Sequence, residues 1–182
     1  SGAALLGITA LGGYPFLRDT SLCYASPAEG FNNTLPIPPL LDSTVTPDGA
    51  RLFTFSVGTG EKSFMPGYTT PTLGYSGDYL GPTVKVRDGE RVRFKIENNL
   101  KQVTTVHWHG LHVPAQWDGG PRQVIKAGET WHPDFKIKQP AATLWYHPHA
   151  MGLTGEHAYM GLAGLFVIED EKSDSLSIPR EY

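Results

Sequence analysis

The fold is decided by one segment near the middle of the chain, Val84-Lys85-Val86-Arg87-Asp88-Gly89-Glu90-Arg91-Val92-Arg93-Phe94-Lys95-Ile96. Apolar and charged residues alternate along it, so the apolar side chains share one face of an extended chain. An Asp-Gly pair between two such runs is a strong hairpin signal. The segment therefore predicts two adjacent strands that turn at Asp88-Gly89, with apolar side chains facing a core and basic side chains facing solvent.

Shorter runs of the same kind surround this segment. Residues 51–59 alternate as a strand. Further strands are predicted near residues 103–109, 129–138, 143–148 and 162–169. Residues 14–50 predict an irregular arm and residues 60–82 a Gly-, Pro- and Tyr-rich loop. Since no long amphipathic helix is evident, the many short strands predict an all-β domain, an antiparallel Greek-key sandwich or barrel.

Composition narrows the classes of partner. The chain of 182 residues is 40% hydrophobic and 18% charged, which is typical of one globular domain with its own core. A net charge of −3 provides no strong field of either sign, so neither nucleic acid nor a membrane surface is an expected partner. A single cysteine, Cys23, excludes an intrachain disulfide and any Cys-x-x-Cys site.

The chemistry lies in two short segments, Val106-His107-Trp108-His109-Gly110-Leu111-His112 and Leu144-Trp145-Tyr146-His147-Pro148-His149. Residues i and i+2 of a strand point to the same side, so each His-x-His pair projects together. Adjacent strands would bring four imidazoles into one small volume. Imidazoles without a neighbouring thiolate or carboxylate suit copper, zinc, iron or nickel. The sequence therefore predicts a metal site formed by His107, His109, His147 and His149.

The other histidines do not fit this pattern. His112 lies three residues beyond His109 and would point to the opposite side of a strand. His132 and His157 have no partner at ligand spacing, so we expect surface or structural roles for them.

Longer motifs around the histidines resemble the first cupredoxin domain of three-domain bacterial multicopper oxidases, in particular the cuprous oxidase and laccase-like group. The likeness runs from about Ile37 to the C-terminus. The motifs that carry it are Thr105–Leu111, Val113-Pro114, Asp118–Pro121, Gln139–His149 and Met160–Asp170. The resemblance implies a cupredoxin-like Greek-key β-sandwich.

The resemblance also implies roles for the site residues. In this family a trinuclear copper cluster between the first and third domains reduces dioxygen to water, and each of those domains contributes four histidines. By position, His107 resembles a ligand of the type 2 copper, His109 and His147 ligands of one type 3 copper, and His149 a ligand of the other. Asp118 matches a family acid associated with proton delivery, although Asp-Gly-Gly-Pro is also an ordinary turn signal.

The domain organisation follows from the same comparison. The first thirteen residues are small and apolar and resemble an export signal without its basic start, so we expect a periplasmic or secreted protein. Residues 1–36 are then an export-signal remnant and an irregular arm. Residues 37–175 form the first of three expected cupredoxin domains. Residues 176–182 resemble the start of the linker to the second domain.

The resemblance implies that the complete protein oxidises phenols or cuprous ion. The family takes up electrons at a type 1 copper held by a Cys and two His in the third domain, and Cys23 does not match that motif. We therefore expect no turnover by this chain alone. The expected partners are the remaining cupredoxin domains and dioxygen, with self-association of the isolated domain through its exposed ligand face.

Two other functions stay open. The chain can be a copper-binding or copper-sequestering module without turnover. It can also be a catalytically silent cupredoxin-like domain that serves protein contacts, as in some cell-division proteins of this superfamily. Loss of ligand histidines would favour the silent domain, whereas all four are present here.

Overall fold

The computed structural model describes residues 36–177, which form two β-sheets and a few short helices. The predicted export-signal remnant and most of the linker lie outside the described residues. The strands of the described part are β1 (Ser43–Val45), β2 (Arg51–Lys62), β3 (Thr70–Tyr75), β4 (Val84–Arg87), β5 (Arg91–Asn98), β6 (His107–His109), β7 (Thr130–Trp131), β8 (Asp134–Lys136), β9 (Ala142–His147) and β10 (Gly164–Glu169). The helices are α1 (Thr154–Tyr159), α2 (Glu171–Asp174) and a 3-10 turn at Ala115–Trp117.

Two layers of strands enclose one core. The first sheet has the order β1-β2-β5-β7, with β3 also paired to β2 and β8 also paired to β5, and the second has the order β4-β10-β9-β6. Buried aromatic rings join the layers: the ring centroid of Phe94 in β5 lies 4.4 Å from that of Trp108 in β6. Phe55 in β2 lies 5.6 Å from Tyr146 in β9. The prediction of an all-β sandwich is confirmed.

The predicted hairpin at Asp88-Gly89 is wrong. The turn exists, with Gly89 at a φ of +86°, but β4 pairs with β10 in one sheet and β5 pairs with β2 in the other. The chain therefore crosses from sheet to sheet at this turn. The alternating pattern does not distinguish the two arrangements, because inward residues of both sheets face the same core. Val86 and Val92, on either side of the turn, are both fully buried.

Other local predictions need correction as well. The pairs β2–β5 and β4–β10 are parallel, so the sheets are mixed rather than antiparallel throughout. β3 forms within the predicted loop at 60–82, and β1 forms within the predicted arm at 14–50. Both of these strands pair with β2, whose length lets it hold one partner near each end.

None of the helices within residues 36–177 is both long and apolar enough to cross a membrane.

Candidate metal centre

The two histidine segments meet at the edge of the second sheet. Strands β6 and β9 pair antiparallel, with His107 opposite His147 and His109 opposite Trp145. Trp108 lies between the two histidines of β6, and Tyr146 precedes His147 in β9. Both side chains point into the core and are fully buried. Because side chains alternate along a strand, the histidines project from the outer face of the sheet. Strand pairing thus brings His107, His109 and His147 together, as predicted for three of the four histidines.

Three of the imidazoles lie within reach of one ion. The nitrogen atoms of His107, His109 and His147 lie within 4.8 Å of one another. The ring of His149 completes the group, with its centroid 5.4 Å from that of His107 and 6.0 Å from that of His147. The site is open on one side, since His147 is buried, His107 is half-buried, and His109 and His149 are exposed.

The sequence predicted His147 and His149 on one strand, but His149 lies outside it. β9 ends at His147, and Pro148 follows it. Instead of a backbone carbonyl of β6, the hydroxyl Oγ1 of Thr105 accepts the backbone N–H of His149, at 2.6 Å. His149 therefore lies beside the other imidazoles without belonging to either strand.

Hydrogen bonds to carbonyls fix the tautomers of two rings. The Nδ1 of His107 lies 2.8 Å from the backbone oxygen of Asp118, and the Nδ1 of His147 lies 2.8 Å from the backbone oxygen of Pro148. A carbonyl can only accept, so both Nδ1 atoms carry the proton and the lone pair of the neutral ring lies on Nε2. The Nδ1 of His109 lies 3.1 Å from the Nε2 of His147, so these two nitrogens face the same point.

The electrostatics favour a neutral ring for His147. The pKa of His147 is lowered to about 4, chiefly by burial and further by the neighbouring imidazoles, while its hydrogen bond to the Pro148 carbonyl acts in the opposite direction. At neutral pH this side chain is therefore uncharged and able to donate a lone pair to a cation.

Trp145 packs directly on the cluster. Its ring is stacked on His147, with centroids 4.0 Å apart and an interplanar angle of 16°, and it lies 5.1 Å from His109. Trp145 is 37% exposed and is paired across the sheet with Leu165, which is 42% exposed. The ligand face therefore continues into an exposed apolar surface. Alternation along β9 places Trp145 on the same side as His147, a signal already present in the sequence.

Asp118 lies beside the cluster through both its backbone and its side chain. Its carbonyl holds His107, and its half-exposed carboxylate Oδ1 lies 3.5 Å from the same Nδ1. The next residue, Gly119, has a φ of +71°, and a Cβ there would overlap the backbone oxygen of Val106. The predicted turn is thus present, and it requires glycine at Gly119 because the chain passes close to β6.

The remaining histidines lie apart from this group. His112 and His132 are exposed. His157 is fully buried in α1, where its Nε2 accepts a hydrogen bond from the Gln102 side chain at 2.8 Å and burial lowers its pKa. Its role is structural.

The donor set fits copper. The group consists of imidazoles without a thiolate or carboxylate ligand among the described residues. Two of its rings are oriented so that Nε2 can donate its lone pair to a metal ion. Imidazole suits copper, zinc, iron and nickel, so the donor chemistry alone does not choose among them.

Comparison with known proteins identifies the class. The sequence model of the multicopper oxidase family matches residues 56–173 of this chain. The chain is 44% identical over 143 residues to the multicopper oxidase mco of Staphylococcus aureus, which covers 79% of this chain and 32% of that protein. It is 40% identical over 155 residues to the cell division protein FtsP of Escherichia coli K12, which covers 85% of this chain and 32% of that protein.

Solved structures of multicopper oxidases show the same similarity. The laccase-like multicopper oxidase CueO from Ochrobactrum sp. matches with a TM-score of 0.75 and 44% identity over 82% of this chain and 33% of that chain. A laccase from Pediococcus acidilactici matches with a TM-score of 0.79 and 34% identity over 85% of this chain and 34% of that chain. The chain belongs to the multicopper oxidase family. Its sandwich is cupredoxin-like, and its histidine cluster fits a copper site. The chain spans about a third of the length of these relatives.

Proposed function

We propose that this chain is the first cupredoxin domain of a larger multicopper oxidase and that His107, His109, His147 and His149 supply half of the histidine ligands of a trinuclear copper cluster. The observation that carries the proposal is the convergence of these side chains on one open face of the sheet. A group that is buried on one side and exposed on the other suits a site completed by another part of the protein.

The chain's own residues orient the ligands. The carbonyls of Asp118 and Pro148 hold His107 and His147 with Nε2 available, and Trp145 fixes the plane of His147 by stacking. Carbonyl partners of this kind set the ring orientation and raise the basicity of a metal-bound imidazole. Copper bound there supplies the electron transfer that reduces dioxygen to water.

We assign Asp118 a part in proton delivery. Reduction of dioxygen to water consumes protons, and a site closed by another domain needs a group that relays them. The carboxylate of Asp118 is half-exposed and lies within 3.5 Å of a ligand imidazole. It can therefore exchange a proton with solvent on one side and lie beside the cluster on the other.

The remaining features of the complete protein are inferred from the family. Residues 37–175 form one of three cupredoxin domains, and the other domains complete the cluster and carry the electron-entry copper. The reducing substrate is a phenol or cuprous ion. The related CueO from Ochrobactrum sp. is described as active on lignin model compounds and lignosulfonate, which supports a phenolic substrate. We propose that the protein is exported and that this chain alone does not turn over.

A non-catalytic role has one specific observation in its favour, the similarity to the cell division protein FtsP. In that case the sandwich would serve protein contacts, or would hold copper without turnover. All four histidines are present in this chain, and carbonyl or hydroxyl partners hold three of them, which favours a copper-binding role over protein contacts alone.

The experiment compares two double variants of the complete protein, His107→Ala/His109→Ala and His112→Ala/His132→Ala. Both remove two exposed or half-buried imidazoles, but only the first pair belongs to the cluster. We expect the first variant to lose copper from the cluster and to stop consuming dioxygen, while its circular dichroism is unchanged. Copper per chain and oxygen consumption with a phenolic substrate are the measurements.

The control variant should keep both copper and activity. Full copper content in the His107→Ala/His109→Ala protein would refute the ligand assignment. An unaltered protein that binds copper but consumes no oxygen with a phenol or cuprous ion would establish the copper-binding module instead.

A further inference from the structure

His149 lies beyond the end of strand β9, so strand pairing does not fix its position. The register of β6 and β9 places His107 opposite His147. Continued outward, the same antiparallel register places Val106 opposite Pro148 and Thr105 opposite His149. β9 ends at His147, so no strand pairing among the described residues holds His149. His149 therefore needs another anchor to stay beside the other imidazoles.

Thr105 provides that anchor through its side chain. Its hydroxyl Oγ1 accepts the backbone N–H of His149 at 2.6 Å, and Thr105 itself is fully buried. The hydroxyl thus takes the place of the carbonyl that would accept this N–H in a continuous ladder. The bond is partly buried, and a polar group that loses its partner away from water is costly, which makes this single contact important for the backbone of His149.

The imidazole of His149 depends on its backbone more than the other rings do. His107 and His147 are held directly by carbonyls at 2.8 Å. Within residues 36–177, the structure shows only ring contacts, to His107 and His147, for the exposed imidazole of His149. Its direction is therefore set by the main chain between Pro148 and Ala150.

The segment that presents the Thr105 hydroxyl is itself fixed. The neighbouring Thr104 exchanges two backbone hydrogen bonds with Ile125, at 3.0 and 2.8 Å. The Thr104 hydroxyl has a different partner: it lies 3.4 Å from the Nδ1 of His157. Two adjacent, fully buried threonines thus have separate partners, one directed to a proposed ligand and the other to a structural histidine.

We propose that Thr105 is a positioning residue for the metal site: its hydroxyl replaces the interrupted strand pairing and holds His149 in the ligand cluster. The inference rests on the proposed role of His149 as a copper ligand. It adds a residue outside the histidine set whose loss should weaken metal binding through the backbone.

The test uses the complete protein with three substitutions. Thr105→Val keeps the shape and removes the acceptor, Thr105→Ser keeps the acceptor, and Thr104→Val makes the same change one residue away. The first readout is hydrogen exchange at the amide of His149 in the metal-free protein. We expect faster exchange in Thr105→Val and native protection in the other two variants, a distinction that a general loss of packing would not produce.

The second readout is copper affinity, measured by competition with a chelator. Loss of a supporting partner typically weakens metal binding about 10–100-fold, so we expect a weakening of that order in Thr105→Val, with native affinity in Thr105→Ser. Equal affinity in Thr105→Val and the unaltered protein would overturn the inference. If Thr105→Val does not fold, the unaltered protein decides: an unprotected His149 amide overturns the inference, and a protected amide with native affinity in Thr105→Ser supports it.

This result is separable from the test of the proposed function. If His107→Ala/His109→Ala loses copper while Thr105→Val retains it, only the role of Thr105 fails. If His107→Ala/His109→Ala retains cluster copper, the proposed function itself fails.

Discussion

Two buried tyrosines behind the cluster differ in one hydrogen bond. Tyr75 and Tyr146 lie with ring centroids 5.0 Å apart. The hydroxyl of Tyr146 donates to the backbone oxygen of Pro82 at 2.7 Å. The hydroxyl of Tyr75 is buried without a hydrogen-bond partner among the described residues. A buried polar group is stabilising only when it is paired, so the same atom has opposite effects at the two positions.

This difference predicts the outcome of matched substitutions. Tyr146→Phe removes a made hydrogen bond and leaves the Pro82 carbonyl without this donor, so it should lower the free energy of unfolding by about 1–3 kcal/mol. Tyr75→Phe should leave it unchanged within about 0.5 kcal/mol or raise it. Urea denaturation of both variants measures the difference. A larger loss for Tyr75→Phe than for Tyr146→Phe would contradict the assignment of the two hydroxyls.

At the scale of strands, alternation predicted most of the core but not the pairing. The inward positions of β4 and β5 are buried as expected, from Val84 to Ile96. A period of two distinguishes only inward from outward, so it could not show that the chain changes sheets at Gly89. β3 was missed because Pro71 and Gly74 mark a loop in the sequence, whereas the long partner β2 recruits this segment as a strand.

The sequence predicted the histidine cluster but not the contact that holds His149. Two His-x-His pairs on adjacent strands are a local pattern, and local patterns are readable in sequence. The hydrogen bond from His149 to Thr105 joins residues 44 positions apart, and it depends on where the ladder stops. Such a contact follows from the register of β6 and β9 and from the point where β9 ends, and register is set only when the strands meet.

An ion-pair network links three elements of the first sheet and predicts a pH effect. Arg93 in β5 contacts Asp48, in the turn before β2, at 2.6 Å and Asp134 in β8 at 2.7 Å. Arg91 contacts Asp134 at 2.8 Å. The pKa of Asp48 is lowered to about 2, first by the hydroxyl of Thr46 and then by Arg93. The pKa of Asp134 is lowered mainly by Arg91.

A carboxyl with a lowered folded-state pKa stabilises the fold above its unfolded pKa and loses that contribution as pH falls through the folded pKa. For Asp48 the loss should therefore occur between about pH 4 and about pH 2. Asp48→Asn should show a shallower decline of stability across this window than the unaltered chain, and Asp42→Asn, outside the network, should not. Thermal unfolding from pH 5 to pH 2 in low salt measures this. Identical pH profiles for Asp48→Asn and the unaltered chain would show that the contacts contribute nothing.

At the scale of the whole molecule, the surface around the histidine cluster is exposed and partly apolar. Four exposed side chains lie side by side on the outer face of the second sheet or at its end: His109, His149, Trp145 and Leu165. The chain covers about a third of its relatives, so most of each related protein lies outside the matched region. A cluster that is half open and bordered by apolar side chains is better suited to a shared site than to a self-contained one.

This arrangement predicts weak copper binding by the 182-residue chain on its own. His109 and His147 direct two nitrogens to one point and His107 can add a third, which reaches only the lower end of the three or four good ligands that copper and related ions prefer. After dialysis against a chelator, the isolated chain should retain far less copper than the complete protein, and His107→Ala/His109→Ala should abolish the remainder. The exposed Trp145 and Leu165 should also make its sedimentation depend on concentration. Retention of copper by a monomeric isolated chain at the level of the complete protein would mean that these imidazoles form a finished site, and the shared cluster would have to be abandoned.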